Sequence, residues 1–309
     1  MPSDRKDLQK DKKYLIVLIG PTAIGKTSLS IQLAHFFNCP VLSADSRQFF
    51  KELSLGTAKV TDEEMEGVPH HFVGHISIQE EYNVGKFELD AIDQLENIYT
   101  TGNVAILAGG SGLYVDAVCK GIDDIPKDAA IRAQLQKELE DKGIEALQEE
   151  LKRLDPEHYA NMNLLNPQRL MRALEVCRVS GKTYTSFRTN TKKERPFNII
   201  KIGLTADREV MYDNINKRVH IMMENGLLEE VKSVYDRKDL NALNTVGYKE
   251  LFTYLDGDCT LEEAVAHIQQ NTRRFAKRQM TWFRKDDNTK WFDISEKADI
   301  IPYLKSQMV

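Results

Sequence analysis

Two short stretches carry residues whose types and spacing could do chemistry. Gly20-Pro21-Thr22-Ala23-Ile24-Gly25-Lys26-Thr27 fits G-x-x-x-x-G-K-[ST] at every fixed position. At that spacing the glycines let backbone N–H groups close around a phosphate, and a following helix adds its partial positive charge. Lys26 can reach the phosphate oxygens, and the Thr27 hydroxyl can ligate Mg²⁺. All eight residues are therefore candidates for holding a phosphate group, with Thr27 the candidate metal ligand. Such a loop signals nucleotide or ATP binding in general and does not say which phosphate compound is held. The second stretch is Ser43-Ala44-Asp45. Hydrolases with this loop carry an acid at the end of a second apolar strand, where it holds Mg²⁺ and water. Here the apolar run Val104 to Ala108 ends in Gly109-Gly110-Ser111, without an acid. The acid instead follows Pro40 to Ala44, as Asp45, which favours transfer chemistry with Asp45 facing an acceptor. As a bland alternative, Asp45 would be a turn or cap acid.

The elements that must position these groups follow from patterning. Tyr14 to Ile19 is an unbroken apolar run that reads as a buried parallel strand. It leads into the Gly-rich loop and a helical stretch, Ser28 to Phe37. Pro40 to Ala44 and Val104 to Ala108 read as further strands, with Phe87 to Thr100 helical between them. Phe197 to Leu204 reads as a strand returning to the sheet. This alternation predicts an α/β fold, a doubly wound parallel sheet around the phosphate loop. From Asp128 to Gly181 no strand pattern occurs. Ile131, Leu135 and Leu139, then Ile144, Leu147, Leu151 and Leu154, repeat at helical spacing. Asn166-Pro167 opens a third helix and Gly181 closes it. The predicted organisation is a core over 1–124, an all-helical insertion over 125–196, and the rest of the core with C-terminal helices over 197–309. Asp207 to Glu224 is predicted helical, with Met211, Ile215, Val219 and Met222 on one side. Thr260 with Glu263 forms a capping box for a helix running to about Arg284. Its apolar line is Leu261, Val265, Ile268, Phe275 and Trp282.

Composition narrows the classes. A net charge of −5 over 309 residues means that nucleic acid would have to be met by local basic patches. Two such runs stand out: Lys182 to Arg195, and the Arg273 to Arg278 face of the last long helix. On charge alone both would be solvated faces. The four cysteines lie far apart, which predicts reduced thiols. His70, His71 and His75 lack carboxylate or cysteine partners at ligand spacing, which predicts structural histidines. The charged start, Met1 to Lys13, lacks the apolar core of a secretory signal, and no run is long enough to span a membrane. The expectation is a cytoplasmic protein with a short frayed start.

The motifs, taken together, resemble those of the tRNA dimethylallyltransferases. The Gly20 to Thr27 loop is similar to the family's opening motif, and Ser43-Ala44-Asp45-Ser46-Arg47-Gln48 to its second. Leu55 to Lys59, Gly67 to His71 and Ala108 to Tyr114 follow in family order. Asn166-Pro167-Gln168-Arg169 and Arg172 to Val176 fall in the insertion. Val246 to Glu250 and Thr272 to Phe283 complete a match spread over nearly the whole chain. Three positions depart from it: Phe50 where Tyr is usual, Ser111 where Thr is usual, and Asn214 at a place often Arg. The zinc-finger extension of eukaryotic relatives is missing, which implies a bacterial enzyme.

The resemblance implies transfer of a dimethylallyl group from dimethylallyl pyrophosphate to N6 of adenosine 37, in the anticodon stem-loop of tRNA. Asp45 would be the general base, and Ser111 and Arg218 would help Lys26, Thr22, Thr27 and Mg²⁺ to carry the leaving charge. Arg218 lies three residues after Ile215, so it can point inward; otherwise it is a surface arginine. Asp45, Ser46, Arg47 and Gln48 match the adenosine-contacting stretch. Gln168, Arg169, Leu170, Met171 and Arg172 would grip the anticodon arm, unless Arg172 is occupied by Glu175. Arg274 and Arg278 would meet the RNA backbone. A monomer is expected. Two rivals share the loop: a small-molecule kinase and a non-catalytic RNA-binding protein.

Overall fold

The structure, a computed structural model, describes residues 12–189 and 192–308; most of the charged start and positions 190–191 of the first basic run lie outside them. In chain order the elements are β1 (Tyr14–Ile19), α1 (Lys26–Phe37), β2 (Val41–Ser43), α2 (Asp62–Met65), β3 (His70–His71), α3 (Val84–Ile98), β4 (Val104–Gly109) and α4 (Gly112–Lys120). Then come α5 (Ala129–Leu154), α6 (Pro156–Asn161), α7 (Pro167–Ser180) and α8 (Tyr184–Phe187). The chain closes with β5 (Asn198–Thr205), α9 (Arg208–Glu224), α10 (Leu227–Ser233), α11 (Tyr248–Leu255), α12 (Leu261–Phe283), β6 (Thr289–Asp293) and α13 (Lys297–Gln307).

The strands form one parallel sheet in the order β3-β2-β4-β1-β5-β6. All six residues of β1 are buried because helices cover both faces. Side chains alternate across a strand. Leu15, Val17 and Ile19 therefore join one apolar layer, and Tyr14, Ile16 and Leu18 the other. β1 lies between β4 and β5, so chain direction across the sheet reverses beside its C-terminal end. Ligand crevices of open α/β sheets form at that kind of point.

The chain divides into two compact units. One runs up to Cys119 and resumes at Arg195; the other is Lys120–Glu194. The helical unit thus begins before the expected residue 125 and ends at Glu194. Its core holds Leu135, Leu147, Leu151, Leu170, Met171, Ala173 and Leu174. Asp128 caps α5 through the Ala130 and Ile131 amides, and Asn166 caps α7 with Pro167 in the first turn. Gly181 closes α7 at φ 68°. The two helical runs expected on either side of Gly143 form α5, broken where that glycine takes φ 79° and ψ 175°.

Other expectations need correction. β3 and β6, both edge strands, carry no long apolar run and were not foreseen. On α12, Ile268 is buried and Leu261 and Val265 pack against the core as expected, but Phe275 and Trp282 are 37% and 40% exposed, and the line continues through Ala276, Gln279, Met280 and Phe283. The large aromatics sit one position off the stripe that the helical period keeps inward. Arg195 is no phosphate contact. It pairs with buried Glu88 at 2.7 Å and donates to the Ala117 and Val118 carbonyls.

Candidate active site

The phosphate loop joins β1 to α1. Gly25 takes φ 94° as the cap of α1, a region that favours glycine, and Ala23 follows it into the left-handed region at φ 61°. That sequence of conformations turns successive N–H groups toward one side. No side chain caps α1 and its first turn holds no acid, so its N-terminal amides are left to an anion. The Lys26 ammonium lies across the loop, donating to the Pro21 carbonyl at 2.7 Å and the Gly20 carbonyl at 3.0 Å. Burial pushes its pKa down to about 8; Asp45 opposes the shift and Arg218 adds to it. Below that pH the group is a cation, and above it a neutral amine.

The loop forms one wall of a cleft of about 600 Å³. Asp45, Gln48, Arg218, Asn214 and Gln279 line it as well. Asp45 stands just beyond β2. Its Oδ1 accepts the Arg47 N–H at 3.1 Å, and its own N–H reaches Ser43 Oγ at 3.3 Å, so the carboxylate is fixed by a local turn. Arg218 comes from α9, beside buried Ile215 and Val219. Burial lowers its pKa, while Asp45 and Glu64 hold its charge. Lys26, Arg218 and Asp45 thus share a partly dehydrated cleft with Glu64, and charges act more strongly there than in water. Val41, Val60, Val73 and Ala108 give it an apolar side.

Other expected site residues are engaged inside the protein. Ser111 Oγ accepts the Ser46 N–H at 3.0 Å and donates to Ser46 Oγ at 3.1 Å, so it fixes the loop beside Asp45. The Arg47 guanidinium donates to the carbonyls of Asn241, Ala242 and Asn244. Gln48 uses its amide on the Thr57 and Ala58 carbonyls and accepts from Ser43. Both side chains fasten loops in this structure, and Gln48 does so while lining the cleft.

In the insertion, Leu170 and Met171 are corrected as RNA contacts: both are wholly buried in the helical core and cannot touch a partner's surface. Arg172 bonds the Ile125 and Pro126 carbonyls and pairs with buried Glu175 at 3.0 Å. Gln168 accepts from Arg132. Arg169 is exposed, as are Arg274, which donates to Asn271 at 3.2 Å, and Arg278, which lies over the Phe275 ring. His70 and His71 make β3, and His75 sits among Phe49, Phe72 and Tyr82. Among the described residues no group of three or more His, Cys, Asp or Glu could hold a metal. Gln279 falls inside the Thr272 to Phe283 motif, and an amide on the buried stripe of an amphipathic helix is the signal that marks it.

A family model described as IPP transferase matches residues 48–286. The chain is 54% identical over 297 residues to the tRNA dimethylallyltransferase of Christiangramia forsetii, covering 96% of this chain and 98% of that one. It is 52% identical over 293 residues to tRNA dimethylallyltransferase 1 of Phocaeicola vulgatus, covering 94% and 98%. Among solved structures, the full-length tRNA isopentenylpyrophosphate transferase of Bacillus halodurans aligns at TM-score 0.72 with 38% identity, covering 96% of this chain and 97% of that one. A eukaryotic dimethylallyltransferase acting on tRNA aligns at TM-score 0.76 with 27% identity, covering 92% and 74%.

Proposed function

The chain belongs to the IPP transferase family and is a prenyltransferase of the tRNA dimethylallyltransferase class; from that premise we propose that its cleft moves a dimethylallyl group from dimethylallyl pyrophosphate to N6 of adenosine 37 in the anticodon stem-loop of tRNA. The observation that carries this reading is the meeting of Asp45, Lys26 and Arg218 at one cleft that also takes in the open N-terminus of α1. Family membership sets the kinase and non-catalytic readings aside.

In the proposed reaction the N6 amine attacks the carbon bonded to the pyrophosphate oxygen. A C–N bond forms, the C–O bond breaks, and the amine proton passes to the Asp45 carboxylate. The departing pyrophosphate gathers negative charge. The α1 amides, Lys26, Thr27 and Arg218 are placed to balance it. Val41, Val60, Val73 and Ala108 offer the five-carbon group an apolar wall. The adenine leaves its stack to reach Asp45. Holding both substrates in line would supply roughly 7–11 kcal/mol of the barrier.

A Mg²⁺ ion fits the donor set, because this metal is commonly bound by few protein oxygens together with substrate phosphates. Thr27 would hold it with the pyrophosphate, and it would neutralise part of the leaving charge. No helix among the described residues is long and apolar enough to cross a membrane, and a tRNA substrate supports work in the cytoplasm.

The test is to incubate the protein with unmodified tRNA, Mg²⁺ and dimethylallyl pyrophosphate, then digest the tRNA and weigh its nucleosides. Adenosine 37 carrying a five-carbon group on N6 is expected. An unmodified adenosine, or prenylation at another nucleoside, would refute the reading.

A further inference from the structure

Gln279 lies on the buried face of α12, 5% exposed, and lines the cleft. Its Oε1 accepts the Thr22 N–H at 2.9 Å, and its Nε2 donates to the Gly110 carbonyl at 3.0 Å. Thr22 belongs to the phosphate loop. Gly110 precedes Ser111, whose hydroxyl holds Ser46 beside Asp45. One planar amide therefore joins the loop at the leaving group to the loops around the base. The join needs a donor and an acceptor side by side, which an amide supplies and an ionised carboxylate does not. The chain makes room for it: a Cβ on Gly110 would stand 2.2 Å from Nε2.

We infer that Gln279 is a positioning residue, a strut that sets the spacing between the phosphate loop and Asp45; this rests on the transferase reading given above. Because Oε1 takes the Thr22 N–H, that amide is not part of the pyrophosphate's own set of donors. Loss of the strut therefore slows the chemical step and leaves donor affinity in place.

The test measures kcat and the KM for dimethylallyl pyrophosphate for the wild type, Gln279→Leu and Gln279→Glu across neutral pH, with thermal melts as the folding control. Gln279→Leu is expected to lower kcat by roughly 10²-fold, the scale of a misplacement of about 1 Å. Its KM should stay within about threefold of wild type, since ground-state binding is not what is lost. Gln279→Glu should be equally slow when ionised, because a carboxylate then faces the Gly110 carbonyl with no proton to give. Burial raises the pKa of such a group. As pH falls, the neutral acid regains an O–H donor in the place of Nε2. The ratio of Gln279→Glu to wild-type kcat should therefore climb. A ratio flat with pH, or a Leu variant altered in donor KM alone, overturns the strut.

Gly110→Ala reaches the same contact from the other end and does not alter α12. It should lower kcat in the wild-type background and cost little more in a Gln279→Ala background, where Nε2 is gone. Full additivity also overturns the inference. A wild type unable to prenylate tRNA refutes the transferase reading itself. A wild type that prenylates beside variants that match it refutes the strut alone.

Discussion

In the sheet unit, Lys26, Arg218 and Asp45 turn their charges toward a shared cleft, and the carboxylate holds two cations that burial disfavours. In the helical unit, Arg178 is locked between Glu138 at 2.8 Å and Glu150 at 2.6 Å, Arg172 lies against Glu175, and Asp155 is tied to Thr185. The difference follows from what each unit has to stabilise it. Two apolar layers flank the sheet, and that burial can offset the cost of charges aimed at a ligand. Among the described residues, the insertion's core cluster holds seven buried side chains. A small core leaves helix register to polar cross-links. Arg218 in the first unit is thus a candidate for chemistry, whereas Arg172 and Arg178 in the second are structural ties.

The sharpest way to break that distinction is to remove one charge from each unit. Asp45→Ala should lower kcat by roughly 10²–10⁴-fold, the usual range for a lost general base, and leave tRNA affinity nearly intact. Single-turnover transfer with a separate tRNA-binding assay checks it, and unchanged turnover would end the assignment. Arg178→Ala should do the reverse, destabilising the insertion by about 2 kcal/mol through two carboxylates left facing each other, with little effect on kcat at low temperature. The same cluster carries a pH signature. Arg178 holds the Glu138 carboxyl down at about 2, well below its ordinary range. A depressed acid stabilises the fold above its unfolded pKa of about 4.3 and loses that contribution as pH falls toward 2. Melting of the wild type should weaken across that window, and Arg178→Ala should be less sensitive to it.

What was readable in the sequence divides along a different line, between local features and partners distant in sequence. The Gly20 to Thr27 loop was legible because its function lies in backbone conformation, and glycine spacing is a direct record of backbone conformation. β1 and β4 were legible because strands buried on both faces must be apolar throughout. The helix ends at Asn166, Gly181 and Thr260 were legible because caps are local. Partnering was not. Arg195, Arg47 and Arg172 looked like cations available to RNA, and each is fixed to carbonyls or acids distant in sequence. Gln48 looked ready to read a base and is engaged by a loop nine and ten residues on. β6 pairs with β5 at the edge of the sheet, and a five-residue strand with two adjacent aromatics between polar residues gives no pattern to see.

Smaller effects sharpen the comparison within the insertion and within the cleft. Arg169 is exposed while Arg172 is tied down, three residues on along the same helix. Arg169→Ala should raise the KM for tRNA by about fivefold and leave the donor KM alone, as expected for one solvent-facing phosphate contact of roughly 1 kcal/mol. Arg172→Ala should show chiefly in the melt. Steady-state titration of each substrate separates the two, and an Arg169 effect confined to the donor would remove that residue from the RNA surface.

The mildest expectation concerns Lys26. Its pKa of about 8 means that the site loses a cation as pH rises through 8, and a pyrophosphate favours the protonated form. Binding then takes up a proton, and affinity for inorganic pyrophosphate should fall with rising pH. From pH 7 to 8 the fall is only about twofold, growing toward tenfold per pH unit above that. Lys26→Arg keeps its charge across this range and should flatten the profile, whatever it does to absolute affinity. Calorimetry in two buffers of different ionisation enthalpy reads the proton uptake directly. A wild-type profile as flat as the arginine variant's would mean that Lys26 stays charged throughout, and that burial in the cleft is weaker than its position between Asp45 and Arg218 implies.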